Sequence, residues 1–491
     1  MTTNAIITAE SKRRLMDDFK ADADLATTNY YIGISKSEDW NATDTAPTPL
    51  NTEKEQRDFR HGLQSVKKVV DFSAVVPRVN WTAGQTYNAY NDTKVGHPSA
   101  PNQYYVVTAN NSVYVCIRQG RSSIDGTAVP SDNEPTGSST KGVVMADGYA
   151  WKFLYTIGTL DASKYKSANF IPVKLQGATD GSSPATDVEQ LAIQNAAVSG
   201  TAWNSSGGRQ IVGIDLDSGG SGYTSVPTIT IVGDGDLTAN SGAHATALMT
   251  NGNTSGSNLS VVNVKMNDDS ANAANLIEMG QGFSFASVTF SGGSPTKPAQ
   301  GKVVFGPQGG FGADPRDDLR ADAMMFNAKP NGKQEGEFQT GNSFRQIGLI
   351  RNPKSTDSAT AGGQFSSNEG NCTNALNFAS IGTAFTQGAL MKADVSEPAP
   401  RGYVDSATNV SAAGNFQVFY HQTESTGFTQ FSASQDIVVE SGSGAGTVKS
   451  SGQLTVPKVN KYSGDLLYID NRAAVVRADD QTEDIKVIIE I

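Results

Sequence analysis

The closing segment, Gly464 to Ile491, constrains this chain most: GDLLYIDNRAAVVRADDQTEDIKVIIEI. In a β-strand, successive side chains point to opposite faces. Leu467 and Ile469 alternate with Leu466 and Tyr468, and Ala474 to Val476 follow Asn471-Arg472. Ile485, Val487, Ile489 and Ile491 then share a face opposite Lys486 and Glu490, after the polar turn material Asp479-Asp480-Gln481-Thr482. Three short strands are predicted, the last running to the final residue. Chain ends fray unless something ties them down. The expectation is that the two ends of the chain are built into one central domain.

Composition narrows the class. Gly supplies 50 of 491 residues and charged residues only 18%, which suits short strands joined by turns. The length allows about three domains. Net charge is −11, and no basic run exceeds Lys67-Lys68 or Arg13-Arg14, so no nucleic-acid partner is expected. The N-terminus MTTNAIITAESKRRLMDDF lacks the apolar core of a signal peptide. No stretch is long enough to span a bilayer, so no membrane partner is expected. Cys116, in the apolar run Val113 to Ile117, reads as a buried free thiol, and Cys372 has no paired spacing. His61, His97, His244 and His421 are scattered without ligand spacing. This fits folding in a reducing cytoplasm.

Along the chain, residues 8–20 predict a helix, with Thr8 and Ser11 for capping and Leu15, Met16 and Phe19 as its apolar stripe. Gln56 to Val70 predicts a second. Strands are expected at Tyr30–Ile34, Phe72–Val76, Tyr104–Thr108, Ser112–Ile117 and Trp151–Ile157, with a tight turn at Asn110-Asn111. A Gly/Ser/Ala/Asp-rich stretch at 176–210 marks a boundary. An internal repeat follows. Gly222–Thr230 is echoed by Gly282–Phe290, Ile211–Leu216 by Val261–Met266, and Ala243–Met249 by Ala299–Phe305. Two small β-modules are the natural expectation. Asp314 can cap a short helix opened by Pro315. Further strands are expected at Asp322–Ala328, Phe344–Ile350, Phe416–Tyr420 and Asp436–Val439. The fold class is thus mainly β, with β-sandwich-like domains, a few N-terminal helices and a discontinuous central domain carrying β-rich insertions. Its parts are 1–180 (N-terminal part of the core), 200–306 (inserted tandem repeat), 307–395 (return to the core), 396–460 (second insertion) and 461–491 (closing core strands).

No catalytic, cofactor or metal site is expected. Gly219-Gly220-Ser221-Gly222-Tyr223 breaks the Gly-x-Ser-x-Gly pattern at its last position. Gly446 to Ser450 spaces Gly and Lys wrongly for a phosphate loop. Asp234-Gly235-Asp236 lacks the Glu of a calcium loop and reads better as a turn. The adjacent pairs Asp268-Asp269, Asp317-Asp318 and Asp479-Asp480 suit turns or helix starts rather than acid/base work. Trp40, Trp81 and Trp151 read as core or interface residues. Arg78 and Arg345 read as interface anchors or as partners of local carboxylates.

Four segments, in order, carry a resemblance. They are Val75-Val76-Pro77-Arg78-Val79-Asn80-Trp81 continuing to Tyr87, Asp147-Gly148-Tyr149-Ala150-Trp151, Phe344-Arg345-Gln346-Ile347 running to Asn352-Pro353, and the tail with Asn471-Arg472 and Asp480-Gln481-Thr482-Glu483. Together they resemble the baseplate wedge subunit of T-even-type contractile-tail phages, the gene product eight family. The resemblance covers about 28–175, 316–356 and 463–491, a little under half of the chain, and has no counterpart for 200–306 or 396–460. It implies a non-enzymatic virion protein of the tail baseplate, made in the host cytoplasm. It also implies a homodimer that contacts neighbouring wedge proteins of the gene product six, seven and ten types, and that repacks when the baseplate switches state. The competing expectation is a carbohydrate- or receptor-binding virion module carried by the 200–306 repeat. A secreted β-rich hydrolase is a weaker third reading.

Overall fold

The computed structural model describes residues 6–69, 71–93, 103–176, 188–198, 209–237, 242–266, 279–332, 337–356, 362–408, 416–478 and 480–491. The chain is mainly β, with helices Ala9–Asp24, Glu53–His61, Thr159–Tyr165 and Val188–Val198 and a short helical turn, Pro315–Asp318. Its described residues fall into two units. The first is built from Met1–Met16, Ser73–Met324 and Glu490–Ile491, the second from Asp17–Phe72 and Met325–Ile489. The division therefore falls at 72/73 and 324/325 rather than at the composition shift of 176–210. Strand-and-turn chemistry is the same on both sides of position 72, so composition carries no mark there.

The expected helix over 56–70 is two elements. Thr52 accepts from the Glu55 amide at 3.2 Å and starts the helix at Glu53, and Gly62 ends it. Leu63–Val69 is a strand, because it lies between Tyr30–Ser35 and Glu369–Asn371 in a sheet whose pairing outweighs local helical spacing. That five-stranded sheet runs Glu369–Asn371, Leu63–Val69, Tyr30–Ser35, Asn342–Arg351, Asp465–Arg477. N-terminal and C-terminal strands thus share one sheet of the second unit. The first two predicted closing strands are one, Asp465–Arg477. Against Phe344 and Gln346 it sets Val475 and Asn471, so Arg472 to Ala474 bulge within a continuous strand.

The second unit also holds a closed sheet. Asn374–Thr383 pairs with both Phe416–His421 and Ala445–Val448, and Arg401–Thr408, Leu390–Ala393 and Asp436–Ser441 complete the ring. This is a small barrel around Phe378, Met391, Val404, Val418 and Tyr420, and closure leaves its strands no open edge. It takes in strands from residue 374 onward, so the expected boundary at 395/396 cuts through it.

In the first unit, Ala150–Thr156 pairs with Ser112–Arg118, which also pairs with Tyr105–Val107. Tyr149 stacks on Trp151 at 5.9 Å, and both are buried. Asp147 does more than open their turn. It accepts from the amides of Tyr149, Asp132 and Asn133 at 2.9–3.1 Å.

The repeat folds differently from the expectation. Its two copies do not form two modules; they interleave. The opening strand of copy one, Ile211–Ser218, pairs with the closing strand of copy two, Gln300–Phe305. The opening strand of copy two, Val261–Met266, pairs with the closing strand of copy one, Ala245–Met249. The middle strands, Thr228–Gly233 and Ala286–Ser291, pair with each other. The registers are equivalent. Leu216 faces Gly301, and their counterparts Met266 and Ala245 face each other. The ladder shifts between Val304 and Phe305, and again between their counterparts Leu248 and Met249. The module has an internal two-fold, passing between the pairs Ile229–Phe290 and Thr230–Thr289. Two-stranded pieces are marginal alone, and exchange gives every strand of both copies a partner. The turns repeat too: Gly220 and Gly280, and Gly222 and Gly282, all have positive φ, and Tyr223 and Phe283 are both fully buried.

A Cβ on Gly220 would lie 2.4 Å from the Lys297 carbonyl oxygen, and one on Gly280 would lie 2.5 Å from that of Asp236. Gly220→Ala and Gly280→Ala are expected to destabilise the module similarly, on the order of 1–3 kcal/mol each. Hydrogen exchange checks this. Either substitution should expose amides in both Ile211–Ser218 and Val261–Met266, and a loss confined to one copy would contradict the interleaving.

Candidate functional site

Among the places where the described residues gather polar side chains from distant parts of the sequence, two bear on function, one in each unit. In the second unit, the chain turns at Lys36 (φ 63) after strand Tyr30–Ser35. Arg345, on the central strand Asn342–Arg351, grips the segment beyond that turn. Its guanidinium donates to both Asp44 oxygens at 2.6 and 2.8 Å, to the Ser37 carbonyl at 2.5 Å, and to Asp39. Beside it, His421 has no exposed surface. Its Nδ1 lies 2.8 Å from Asp405 Oδ1, and its Nε2 lies 3.2 Å from Glu38 Oε2. Lys36 Nζ reaches Glu38 at 2.5 Å. Burial pushes an imidazole down, but the Asp405 and Glu38 carboxylates outweigh it and hold His421 at about 9. Burial pushes Glu38 up, and His421 and Lys36 outweigh it and hold its carboxyl at about 2. A general base needs a free ring nitrogen within reach of a substrate. His421 is a sealed imidazolium between two carboxylates, so its chemistry is that of a lock.

The second place is a cavity of about 260 Å³ in the first unit. One side is residues 88–91, Tyr104, 117–119 and Arg121; the other is residues 212–216, 262–264 and Met266, from the opening strands of both repeat copies, with Val304. The Tyr90 amide donates to the Cys116 carbonyl at 2.8 Å, and Gln119 Nε2 donates to the Tyr87 carbonyl at 2.8 Å, fixing the first side. Asn91 Nδ2 donates to Asp215 Oδ2 at 3.1 Å and ties the two sides together. The cavity is rich in amides, includes two guanidinium groups and one carboxylate, and has an apolar floor. That arrangement can bind a small hydrogen-bonding molecule.

The carboxylate pairs behave as turn and helix chemistry. Asp314 caps Pro315–Asp318 through the Arg316 amide at 3.0 Å. Asp318 is buried and accepts from the Gly312 amide at 2.8 Å, and burial raises its pKa. Burial and the nearby Asp314 push Asp317 up to about 6, although Arg13 pairs with it. Burial pulls the Lys152 ammonium down to about 7, against the pull of Asp318. None of these lines the cavity. Asp234 Oδ1 accepts from the amides of Ser284 and Phe285 at 2.9 and 3.2 Å, a turn role. Asp268, Asp269, Asp479 and His97 lie outside the described residues. Among the described residues, no three of His, Cys, Asp or Glu are grouped to hold a metal ion. No helix among them is long and apolar enough to cross a membrane. Cys116 and Cys372 are buried free thiols. Arg345 pairs with Asp39 and Asp44, carboxylates of the same unit but remote in sequence, while Arg78 bonds to Asn80 and the Ser167 carbonyl instead.

Neither place was legible as a site in the sequence. Glu38 and His421 are joined only by the fold, and Asn88, Asn91, Gln119 and Asn263 carry no spacing that announces a cavity. No protein-family model matches this chain, and no curated protein matches it.

The lock generates a pH prediction. The folded pKa of His421 exceeds 6.5, so its contribution is complete below pH 6.5 and is lost as pH rises through about 9. Glu38 has the opposite sign; its contribution is present above pH 4.5 and is lost as pH falls toward about 2. His421→Gln leaves Asp405 without its imidazole partner and Glu38 with Lys36 alone, and should cost roughly 3–5 kcal/mol near neutral pH. Urea midpoints at about pH 6 and about pH 9.5 should show the gap between variant and native protein narrowing at the higher pH. A gap equal at both would refute the charged lock.

Proposed function

We propose that this chain is a structural subunit of a phage tail baseplate wedge, working through protein–protein interfaces rather than by transforming a molecule. One observation carries the reading. Two of the four segments that resemble the wedge subunit, Phe344–Pro353 and the Gly464–Ile491 tail, are neighbours in one sheet. Gly348 faces Ile469 and Leu349 faces Tyr468. Segments that are far apart in sequence and carry one family's pattern thus meet as one frame. The segments without a counterpart build their own bodies: the interleaved module lies within 200–306, and most of the barrel strands lie within 396–460. Apolar side chains left exposed on the frame's last long strand, Leu467 at 43% and Val476 at 68%, suit a surface meant to be covered by neighbours.

In this reading the protein is a homodimer in the virion, flanked by wedge proteins of the gene product six, seven and ten types, and it repacks those contacts when the baseplate changes state. Size-exclusion chromatography with light scattering tests it. The full chain is expected to run as a dimer and to co-elute with candidate wedge proteins. A strict monomer that ignores them would overturn the proposal.

A further inference from the structure

The cavity of the first unit has no role in a purely scaffolding protein, and its construction points to a ligand. Its floor comes from counterpart residues of the two repeat copies, Val212 with Val262 and Ile214 with Val264. The internal two-fold breaks where Gly213 is matched by Asn263, and that break adds an amide to an otherwise apolar floor. Asn263 Oδ1 accepts from the adjacent Val264 amide at 2.9 Å, which leaves Nδ2. Gln119 spends its Nε2 on the Tyr87 carbonyl at 2.8 Å and keeps Oε1. Arg121 spends Nη1 on the Gly126 carbonyl at 2.8 Å and keeps Nε and Nη2. Among the described residues, those remaining atoms have no protein partner.

We propose that this cavity binds one neutral sugar residue, the ring's C–H face lying on the valine and isoleucine floor and its hydroxyls meeting Gln119, Asn263 and Arg121. A hydroxyl both donates and accepts, which answers an arrangement of one acceptor and two kinds of donor. A wholly apolar ligand would cover the Gln119 and Asn263 groups and leave them unpaired, at a cost of about 1–3 kcal/mol each. A phosphate or carboxylate ligand would face the Asp215 carboxylate in the same wall, which offsets one of the two guanidinium groups, Arg118 and Arg121. The volume, about 260 Å³, falls just below the usual range for small-molecule sites, so it takes one ring and not an oligosaccharide. Asn88 and Arg121 are exposed, so the rest of a longer glycan can continue into solvent. The proposal stands apart from the wedge reading, since a scaffold needs no such ligand.

Saturation-transfer NMR on the full chain tests it, with glucose, galactose, rhamnose and N-acetylglucosamine each titrated alone. A purified bacterial surface polysaccharide provides a second arm, which separates a glycan terminus from a free sugar. At least one sugar should show saturable transfer with a Kd of about 1 mM. Asn263→Leu and Gln119→Ala should each weaken it about fivefold or more, the loss of one hydrogen bond. Circular dichroism on the same samples confirms folding, and the more conservative Gln119→Ala keeps the test open if Asn263→Leu fails to fold. Absence of transfer from every probe, or transfer unchanged in a folded variant, would overturn the sugar site. Co-elution with wedge proteins, measured on the same variants, should not change, so the two readings fail separately.

Discussion

Two glycines facing each other across one ladder organise the second unit. Gly33 pairs with Gly348, and the ring of Phe59 occupies the slot they leave. A Cβ on Gly348 would lie 2.3 Å from Phe59 Cζ, so no other residue fits there without displacing a fully buried ring. The helix Glu53–His61 docks through this slot, and the strand that carries Gly348 also carries Arg345 and takes Asp465–Arg477 on its far side. The ladder closes a loop of some three hundred residues. Closure entropy grows only with the logarithm of loop length, so the long segment Ser73–Met324 of the first unit can fold within that loop at little extra cost.

The repeat module obeys a different constraint. Each copy supplies an opening, a middle and a closing strand, yet no copy pairs with itself in these three ladders. The sequence repeat made the counterpart residues legible, and the structure keeps that correspondence down to the position of the ladder shift. The partner of each strand was not legible. A strand's pattern states which face is buried and says nothing of which edge it joins. Two separate modules and one interleaved module therefore write the same alternation into the chain.

The same limit explains the other differences. Asp314 and Pro315 are local signals, and they mark a helix start where the structure has it. Thr52 and Gly62 are local signals too, but the expected helix from Gln56 to Val70 passes over both. Leu63–Val69 depends on neighbours contributed from residue 30 and residue 369, so helical spacing misleads there. Helix Val188–Val198 lies within the Gly/Ser-rich run whose composition suggests a boundary, and its weak amphipathicity leaves no periodic signal. The barrel's first strand, Asn374–Thr383, is only half apolar, and its second half is largely exposed. His421 looks like an isolated histidine in the sequence because both of its carboxylate partners are set by tertiary structure.

The role of the buried charges is set by their cost. An ion pair withdrawn from water often gains no more than a well-packed apolar pair would, so these clusters are poor sources of net stability. They are, however, intolerant of misplacement. Arg477, fully buried, donates to both Glu483 oxygens at 2.6 and 3.0 Å and to the Phe338, Gln339 and Gly332 carbonyls, with its guanidinium 4.6 Å from the Phe338 ring centre. Arg345 is as fully committed, and His421 is hydrogen-bonded to Asp405 with Glu38 Oε2 3.2 Å from its other ring nitrogen. Each joins segments remote in sequence, and each would be left unpaired by a strand that slipped one residue. In a chain of many short, similar, Gly-rich strands, the competing states are wrong pairings rather than unfolded coil. Charged locks penalise those wrong pairings, because a slipped strand leaves a buried charge without its partner.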